Sequence, residues 1–362
     1  MQKYIYESAN WPTFIWDKDA AQTKLNETTR KAGHLFGRLH DIGITAQLQT
    51  MAQMVTDNVV DSYAIEGIAL DSAQVRSSVA RRLGIELQGN VEPSHYIDGI
   101  VEMMLDATTN YRTSLTEERL FGWHAALFPN TRSGIHGIKV GAYRTAAMDV
   151  VSGMLGREKV HYHAPEAAEV PDMMAQFLAW FNGPAPKDYI HSAIAHLYFI
   201  SIHPFDDGNG RMARAISDMA LSQADDSQMR YFSVSSQINK EKKRYYDILE
   251  RTQHGDGDIT EWIEWYLGCI GRSIDSTENM LSQIVRKSFF WKTHAEDTVS
   301  ERQHKVLNIY LDGYEGKLTA KNYAKLAEVS LDTAARDIKD LVEKKMLAAK
   351  NNSMRNVEYK II

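Results

Sequence analysis

One stretch limits what this chain can be more than any other: His-Pro-Phe-Asp-Asp-Gly-Asn-Gly-Arg-Met-Ala-Arg, residues 203–214. It sets a histidine, two carboxylates, two glycines and two arginines between apolar helical runs at residues 190–202 and 212–221. Pro204 cannot donate a backbone hydrogen bond and disfavours helical geometry at His203, so it ends the incoming helix. Gly208 and Gly210 permit positive φ and close backbone approach, which lets successive N–H groups converge on an anion. The helix starting near Gly210 adds free N–H groups and a positive dipole end. Arg211 and Arg214, three apart, share a face of its first turn and can fork onto phosphate oxygens. Asp206 and Asp207 offer hard oxygen ligands to Mg²⁺, and His203 is a natural general base near neutral pH. These residues predict transfer chemistry on a nucleotide.

A Gly-Asn-Gly turn with flanking charges also occurs as a plain solvated turn. The EF-hand register is absent, and so is the Walker pattern G-x-x-x-x-G-K-[ST]. The segment does resemble the signature of the Fic family, H-P-F-x-[D/E]-G-N-G-R-x-x-R, at every fixed position. The resemblance implies a mainly α fold, a Fic-type helical core with a β-hairpin flap. It also implies a protein adenylyltransferase that moves AMP from ATP, with Mg²⁺, to a Ser, Thr or Tyr hydroxyl and releases pyrophosphate. His203 would take the hydroxyl proton, Asp207 would hold the metal, and the phosphates would lie across Gly208, Asn209, Gly210 and Arg211. Asp206 and Arg214 belong to the same nucleotide-binding segment, with Phe205 as its core anchor.

The length suits two or three domains, and a net charge of −6 gives no general affinity for nucleic acid. Cys269 is the only cysteine, which excludes a disulfide framework and a cysteine-based zinc cluster. No apolar run reaches membrane-spanning length and the start lacks an apolar signal region, so a cytoplasmic protein without a membrane partner is expected.

Residues 1–45 begin with Tyr4, Tyr6, Trp11, Phe14 and Trp16, read as packing residues rather than a ligand cage. An amphipathic helix follows from about Asp19, with Leu25, Ala32, Leu35, Phe36 and Leu39 on one face. The segment resembles the short N-terminal domain often joined to bacterial Fic proteins. Residues 46–290 are read as the catalytic core, and its first helix, about 46–67, ends on Asp-Ser-Tyr-Ala-Ile-Glu-Gly. Ser62 and Glu66 share a helical face and Gly67 is a C-cap, which by itself fits a surface helix end. Beside the downstream signature it resembles the family's inhibitory motif, [S/T]-x-x-x-E-[G/N]. On that reading Glu66 pairs with Arg214 and turns the phosphates away from in-line attack.

Further helices are expected over residues 93–111 and 117–127, with Thr116 at the start of the second, and a loop over 134–141. Gly141-Ala-Tyr-Arg resembles the family's entry to the flap, and residues 149–162 read as two short strands around a turn. An ordinary solvent hairpin fits the same pattern. In the family this hairpin holds the target by strand addition, which would put Val150, Val151, Ser152 and Gly153 along the site. Helices follow at 166–181 and 187–202. His191 and His196 lie five apart, off the spacing of a helical metal pair, and read as structural. Tyr245 and Tyr246, within a helix over 239–252, match the family's adenine-side pair, although adjacent tyrosines commonly just pack. Gln253 lies one turn on, and a long helix over about 258–286 closes the core.

Residues 300–362 carry 12 Lys and Arg against 9 Asp and Glu, unlike the acidic remainder. Helices at 301–311, 318–327 and 331–345, with Ser330 as N-cap and a wing over 347–362 around residues 351–353, resemble a winged helix-turn-helix. The expected inward stripe is Leu331, Ala335, Ile338, Leu341 and Val342. DNA and a protein (for target selection or self-association as a homodimer) stand equally as its partner. The rival to a transferase acting on a target or on itself is a DNA-binding regulator whose core senses nucleotide. A Fic enzyme that removes AMP, or transfers another phosphate-containing group, is a further alternative.

Overall fold

The computed structural model describes residues 4–85, 91–134, 136–153, 157, 159–314, 316–350 and 357–362, without the side chains of 45 and 46. The chain divides into two compact units, Met1–Ser276 and Thr277–Ile362.

The first unit opens with a 3₁₀ turn, Ile5–Glu7, and helices α1 Lys18–Asp41, α2 Ile44–Ile65, α3 Ser72–Arg82, α4 His95–Thr109 and α5 Glu117–Leu127. Two small antiparallel hairpins follow, β1 Arg132–Ser133 with β2 His136–Gly137, and β3 Asp149–Ser152 with β4 Lys159–His163. Next come α6 Val170–Asn182, α7 Tyr189–Ile202, α8 Asn209–Ala224, α9 Val234–Lys240, α10 Lys242–Gln253 and the start of α11 Thr260–Thr293, which from Thr277 belongs to the second unit. The fold is mainly helical, as the sequence predicts. Two elements depart from that reading. The loop expected over 134–141 contains β2, and the polar sequence between Ile68 and Pro93, which shows no clear apolar period, forms α3.

The core is built around α7, where every residue except Ile190 is buried. A helix apolar on all sides can only sit inside. Leu197, Phe199 and Ile202 are fully buried, each stabilising the fold by about 1.5–3 kcal/mol through removal from water. The helix's polar groups are served internally. His196 hydrogen-bonds Ser217 Oγ and Tyr245 Oη at 3.0 Å each. His191 stacks on Trp180 at 4.5 Å. Burial pushes both imidazoles down to about 3, so they are neutral structural groups.

The aromatic N-terminus packs as expected. Tyr4 meets Tyr162 of β4 edge-on at 5.3 Å, and Trp11 meets Tyr198 of α7 at 4.9 Å. Asp17 caps α1 through the backbone N–H groups of Asp19 and Ala20, and the predicted face of Leu25, Ala32, Leu35 and Leu39 is buried.

The second unit contains α12 Glu301–Leu311, α13 Ala320–Ala327, α14 Leu331–Glu343 and an antiparallel pair, β5 Leu347–Ala349 with β6 Tyr359–Ile361. Ser330 caps α14 by accepting from Thr333 N–H. The wing tip expected around residues 351–353 lies outside the described residues. The stripe expected on α14 holds at Ile338 and Leu341 and fails at its other three positions. Leu331, Ala335 and Val342 are exposed, whereas Ala334, Asp337, Ile338 and Leu341 face inward. The cause is a buried carboxylate. Asp337 accepts from Arg302 Nε at 2.6 Å and Tyr323 Oη at 3.2 Å, so a residue that reads as polar belongs to the core face.

Candidate functional site

Helix α7 stops where Pro204 follows. His203 takes left-handed geometry, φ 52°, at the C-cap, and its Nδ1 sits 3.2 Å from Ile200 O. The half-buried ring is held down to about 4, by burial first and then by the nearby Arg144 guanidinium. It is therefore neutral at pH 7 and able to accept a proton.

The loop after it is stapled from inside. Asn209 Nδ2 donates to Phe205 O at 2.8 Å while Phe205 N–H donates to Asn209 Oδ1 at 2.9 Å. Phe205 is fully buried and stacks on His124 at 4.2 Å, 12° between planes. It does not line the cavity; its part is the anchor. Gly208 has φ +85°, and a Cβ there would fall 2.9 Å from the Phe128 ring. Gly210 differs from expectation: it lies in the first turn of α8 without positive φ. What it supplies is room, since a Cβ there would collide with the Glu66 carboxylate.

The two arginines do not fork together as their spacing suggests. Arg211 lies over the rings of Tyr63 and Phe128, 5.0 and 4.8 Å from their centroids, with Nη2 3.3 Å from Asp207 Oδ1. Arg214 is set back from the cavity. Its Nε donates to Ser62 Oγ at 2.8 Å, and its Nη2 to Ser62 O at 2.8 Å and Glu66 Oε1 at 2.7 Å. Arg211 Nε and Arg214 Nη1 are buried donors without a hydrogen-bond partner among the described residues.

Glu66 reaches Arg214 because α2 ends there. Gly67, at φ +78°, donates its N–H to Ala64 O, and Ile68 N–H donates to Tyr63 O, each at 3.0 Å. That pair is a Schellman closure, which fixes Glu66 at the helix terminus.

Asp207 accepts from Gly208 N–H, Arg211 and the Ser133 hydroxyl, and its half-exposed carboxylate keeps a face on the cavity. Asp206 accepts from Lys139 N–H at 2.9 Å. A cavity-facing carboxylate near arginine N–H groups without acceptors among the described residues fits the way Mg²⁺ is usually held, by one or two carboxylates plus phosphate oxygens.

A cavity of about 630 Å³ joins these parts. Its walls come from residues 65–67, 150–152, 206–211 and His203, with Tyr245, Tyr246, Leu249 and Gln253 from α10. Gly153 and Ser62, also expected at the site, are not on its surface. Ser62 acts from behind through Arg214. The turn of the β3–β4 hairpin at 154–156 lies outside the described residues. Tyr245 is buried, with its hydroxyl on His196, whereas Tyr246 is partly exposed.

Two supports had no signal as site residues in the sequence. His124 lies between two loops: Gly141 N–H donates to Nδ1 at 3.2 Å, and Nε2 is 3.1 Å from Asp207 O. Burial keeps this ring's pKa below the usual histidine value. Arg144, noted only within the flap entry, is buried and ties three backbone carbonyls. Nε binds His203 O at 2.8 Å, Nη1 binds Ala146 O at 2.9 Å and Nη2 binds Pro165 O at 2.6 Å. Such distant partners leave no mark in local sequence.

Residues 114–221 match the Fic/DOC family, and residues 4–85 match a domain of unknown function, DUF4172. Among curated relatives, a protein adenylyltransferase Fic of Nematostella vectensis is 23% identical over 266 residues, 72% of this chain and 56% of the relative. The protein of the same name from Aedes aegypti is 24% identical over 225 residues, 60% of this chain and 40% of the relative. The chain thus spans about half the length of the curated relatives it matches. A Fic family protein from Desulfovibrio desulfuricans G20 superposes with TM-score 0.55 at 20% identity, covering 96% of this chain and 97% of that one. A Fic domain-containing signaling protein from Bacteroides thetaiotaomicron gives TM-score 0.51 at 20% identity, over 69% and 96%. These likenesses are of fold.

Proposed function

We propose that this chain, whose residues 114–221 belong to the Fic/DOC family, transfers AMP from ATP to a hydroxyl side chain of a protein, and that Glu66 restrains it. One observation carries the reading. Among the described residues two buried arginine donors lack acceptors, Arg211 Nε at the cavity that also holds His203 and Asp207, and Arg214 Nη1 behind it. Buried donors without partners are costly, and phosphate oxygens are the acceptors that match a guanidinium fork.

In the transfer, the phosphates lie across the backbone of residues 208–211 at the start of α8, where free N–H groups and the helix dipole favour anions. A target hydroxyl attacks the α-phosphorus. The new O–P bond forms as the bond to the β-phosphate oxygen breaks, pyrophosphate leaves, and the hydroxyl proton passes to neutral His203. Asp207 would hold Mg²⁺, which supplies charge neutralisation on the phosphates. The β3 edge at residues 150–152 receives the target as an added strand, and Tyr246 with Gln253 borders the base. With Arg214 held by Glu66, the γ-phosphate loses its seat. His203→Ala is expected to abolish transfer of α-labelled adenylate to other proteins; retained transfer to them refutes the assignment.

The three helices and the β5–β6 pair support reading the C-terminal unit as a winged helix, and its basic excess with exposed Leu331 and Val342 supports partner recruitment. DNA recognition by residues 300–362, with the core serving only as a nucleotide sensor, is the competing reading. Salt-dependent, sequence-selective DNA binding without protein modification would favour it.

A further inference from the structure

The cavity contains a second hydroxyl-and-base set apart from His203. Ser152 Oγ lies 2.5 Å from His161 Nε2, and His161 Nδ1 lies 2.6 Å from Glu250 Oε2. All three residues line the cavity that holds the anion loop. From this geometry we propose that Ser152 is a self-modification site, a nucleophile whose own base is His161, oriented by Glu250. The proposal rests on the adenylyl-transfer reading above and names one acceptor for it.

The chain of contacts fixes the proton inventory. Glu250 also accepts from Lys159 Nζ at 2.9 Å, and these two hydrogen bonds outweigh the effect of burial and keep its carboxyl below the usual range. An ionised carboxylate only accepts, so His161 Nδ1 carries the hydrogen that faces it. That leaves Nε2 as the acceptor of the Ser152 O–H. A hydroxyl, a base within hydrogen-bond reach and a carboxylate behind the base are the signature of an activated nucleophile.

The hairpin is shaped to make this contact. The register pairs Val150 with Tyr162 and Val151 with Val160, so His161 is the extra residue of a bulge. A bulge re-aims a side chain, and here the ring reaches both β3 and α10. Ser152 is itself exposed, and among the described residues its hydroxyl meets His161. Sequence separations of 9 and 89 residues within the set hid it from any local motif.

The step balances without a further reactant. Ser152 Oγ bonds to the α-phosphorus of ATP, the bond from that phosphorus to the bridging oxygen breaks, and pyrophosphate departs. The Oγ proton moves to His161 Nε2. The product carries a phosphodiester on β3, where it removes the Ser152 donor and sets a charged group beside Glu250.

The test uses the full chain carrying Glu66→Gly, incubated with MgATP and mapped by peptide mass spectrometry. Adenylate on the peptide containing Ser152 is expected, with at least a tenfold drop at that residue in His161→Phe and retention of label at position 152 in Ser152→Thr. Adenylate found only at other residues, with Ser152 bare, overturns the proposal and leaves the transferase reading standing. Label on Ser152 that is unchanged in His161→Phe overturns the role of the base. Absence of adenylate at every residue of the chain overturns this proposal, and the transferase reading falls with it only if proteins of an added lysate also stay unlabelled.

Discussion

Replacing Glu66 by glycine isolates the restraint on the site. The wild-type carboxylate meets Arg214 Nη2 at 2.7 Å, with the arginine side chain 2% and the glutamate 31% exposed. A hydrogen bond to a charged group contributes about 1.5–3 kcal/mol net. With one partner partly solvated, the lower end applies, about 1.5–2 kcal/mol. Each 1.4 kcal/mol is about a factor of ten in an equilibrium, so releasing Arg214 should raise the competent fraction about ten- to thirtyfold. The Schellman closure uses only the backbone and Gly67, so α2 should still end in place. The assay is the initial rate of protein labelling from α-labelled ATP at fixed enzyme concentration. Glu66→Gln, which keeps an acceptor without the charge, should fall between wild type and glycine. An unchanged or lower rate in Glu66→Gly, with ATP binding intact, would refute the reasoning. Thermal unfolding gives an independent reading. Without nucleotide the variant should melt lower, because buried Arg214 has lost its counter-charge, and MgATP should restore more stability than it gives the wild type.

Three further outcomes follow from the same geometry. Arg144→Met leaves the carbonyls of His203, Ala146 and Pro165 without their donor, so urea unfolding should show a loss of about 3 kcal/mol or more. Histidines 191, 196 and 203, held down to about 3, 3 and 4, bind protons in the unfolded chain before the folded one does. Stability should therefore be full above pH 6.5 and decline as pH falls towards 4, and a flat melting temperature over that interval would contradict their neutral burial. In the C-terminal unit, Ile338→Ala at a 2% exposed position should cost about 2–5 kcal/mol, whereas Leu331→Ala at 58% exposure should leave stability within about 0.5 kcal/mol. Equal losses would restore the stripe read from sequence.

The two cases on α14 show why some of the protein was legible in its sequence. Periodicity marks a helix well, but its phase is set by which side chains find partners. Asp337 took a core position because Arg302 and Tyr323 are there to receive it. Residues 203–214 were readable because proline, glycine and helix-start effects act within a few positions. Asn209 closing on Phe205 is of the same local kind. The helix end at Glu66 was local and readable, but its pairing with Arg214, 148 residues away, followed only from the resemblance to an inhibitory motif. The supports were not readable. His124 clamps two loops, Arg144 gathers carbonyls from three segments, and His161 meets Glu250 across the β4–α10 junction. Each acts through contacts that exist only after folding.

The claim at the centre is that the α-phosphorus, with its adenosine, is what leaves ATP for protein. Parallel incubations of Glu66→Gly with α-labelled and with γ-labelled ATP test it directly. With lysate proteins added as acceptors, α-label is expected on those proteins and γ-label in released pyrophosphate, and the α-label on them is lost when His203→Ala is added. Stable γ-label on protein, or α-label on the lysate proteins that persists without His203, would contradict it.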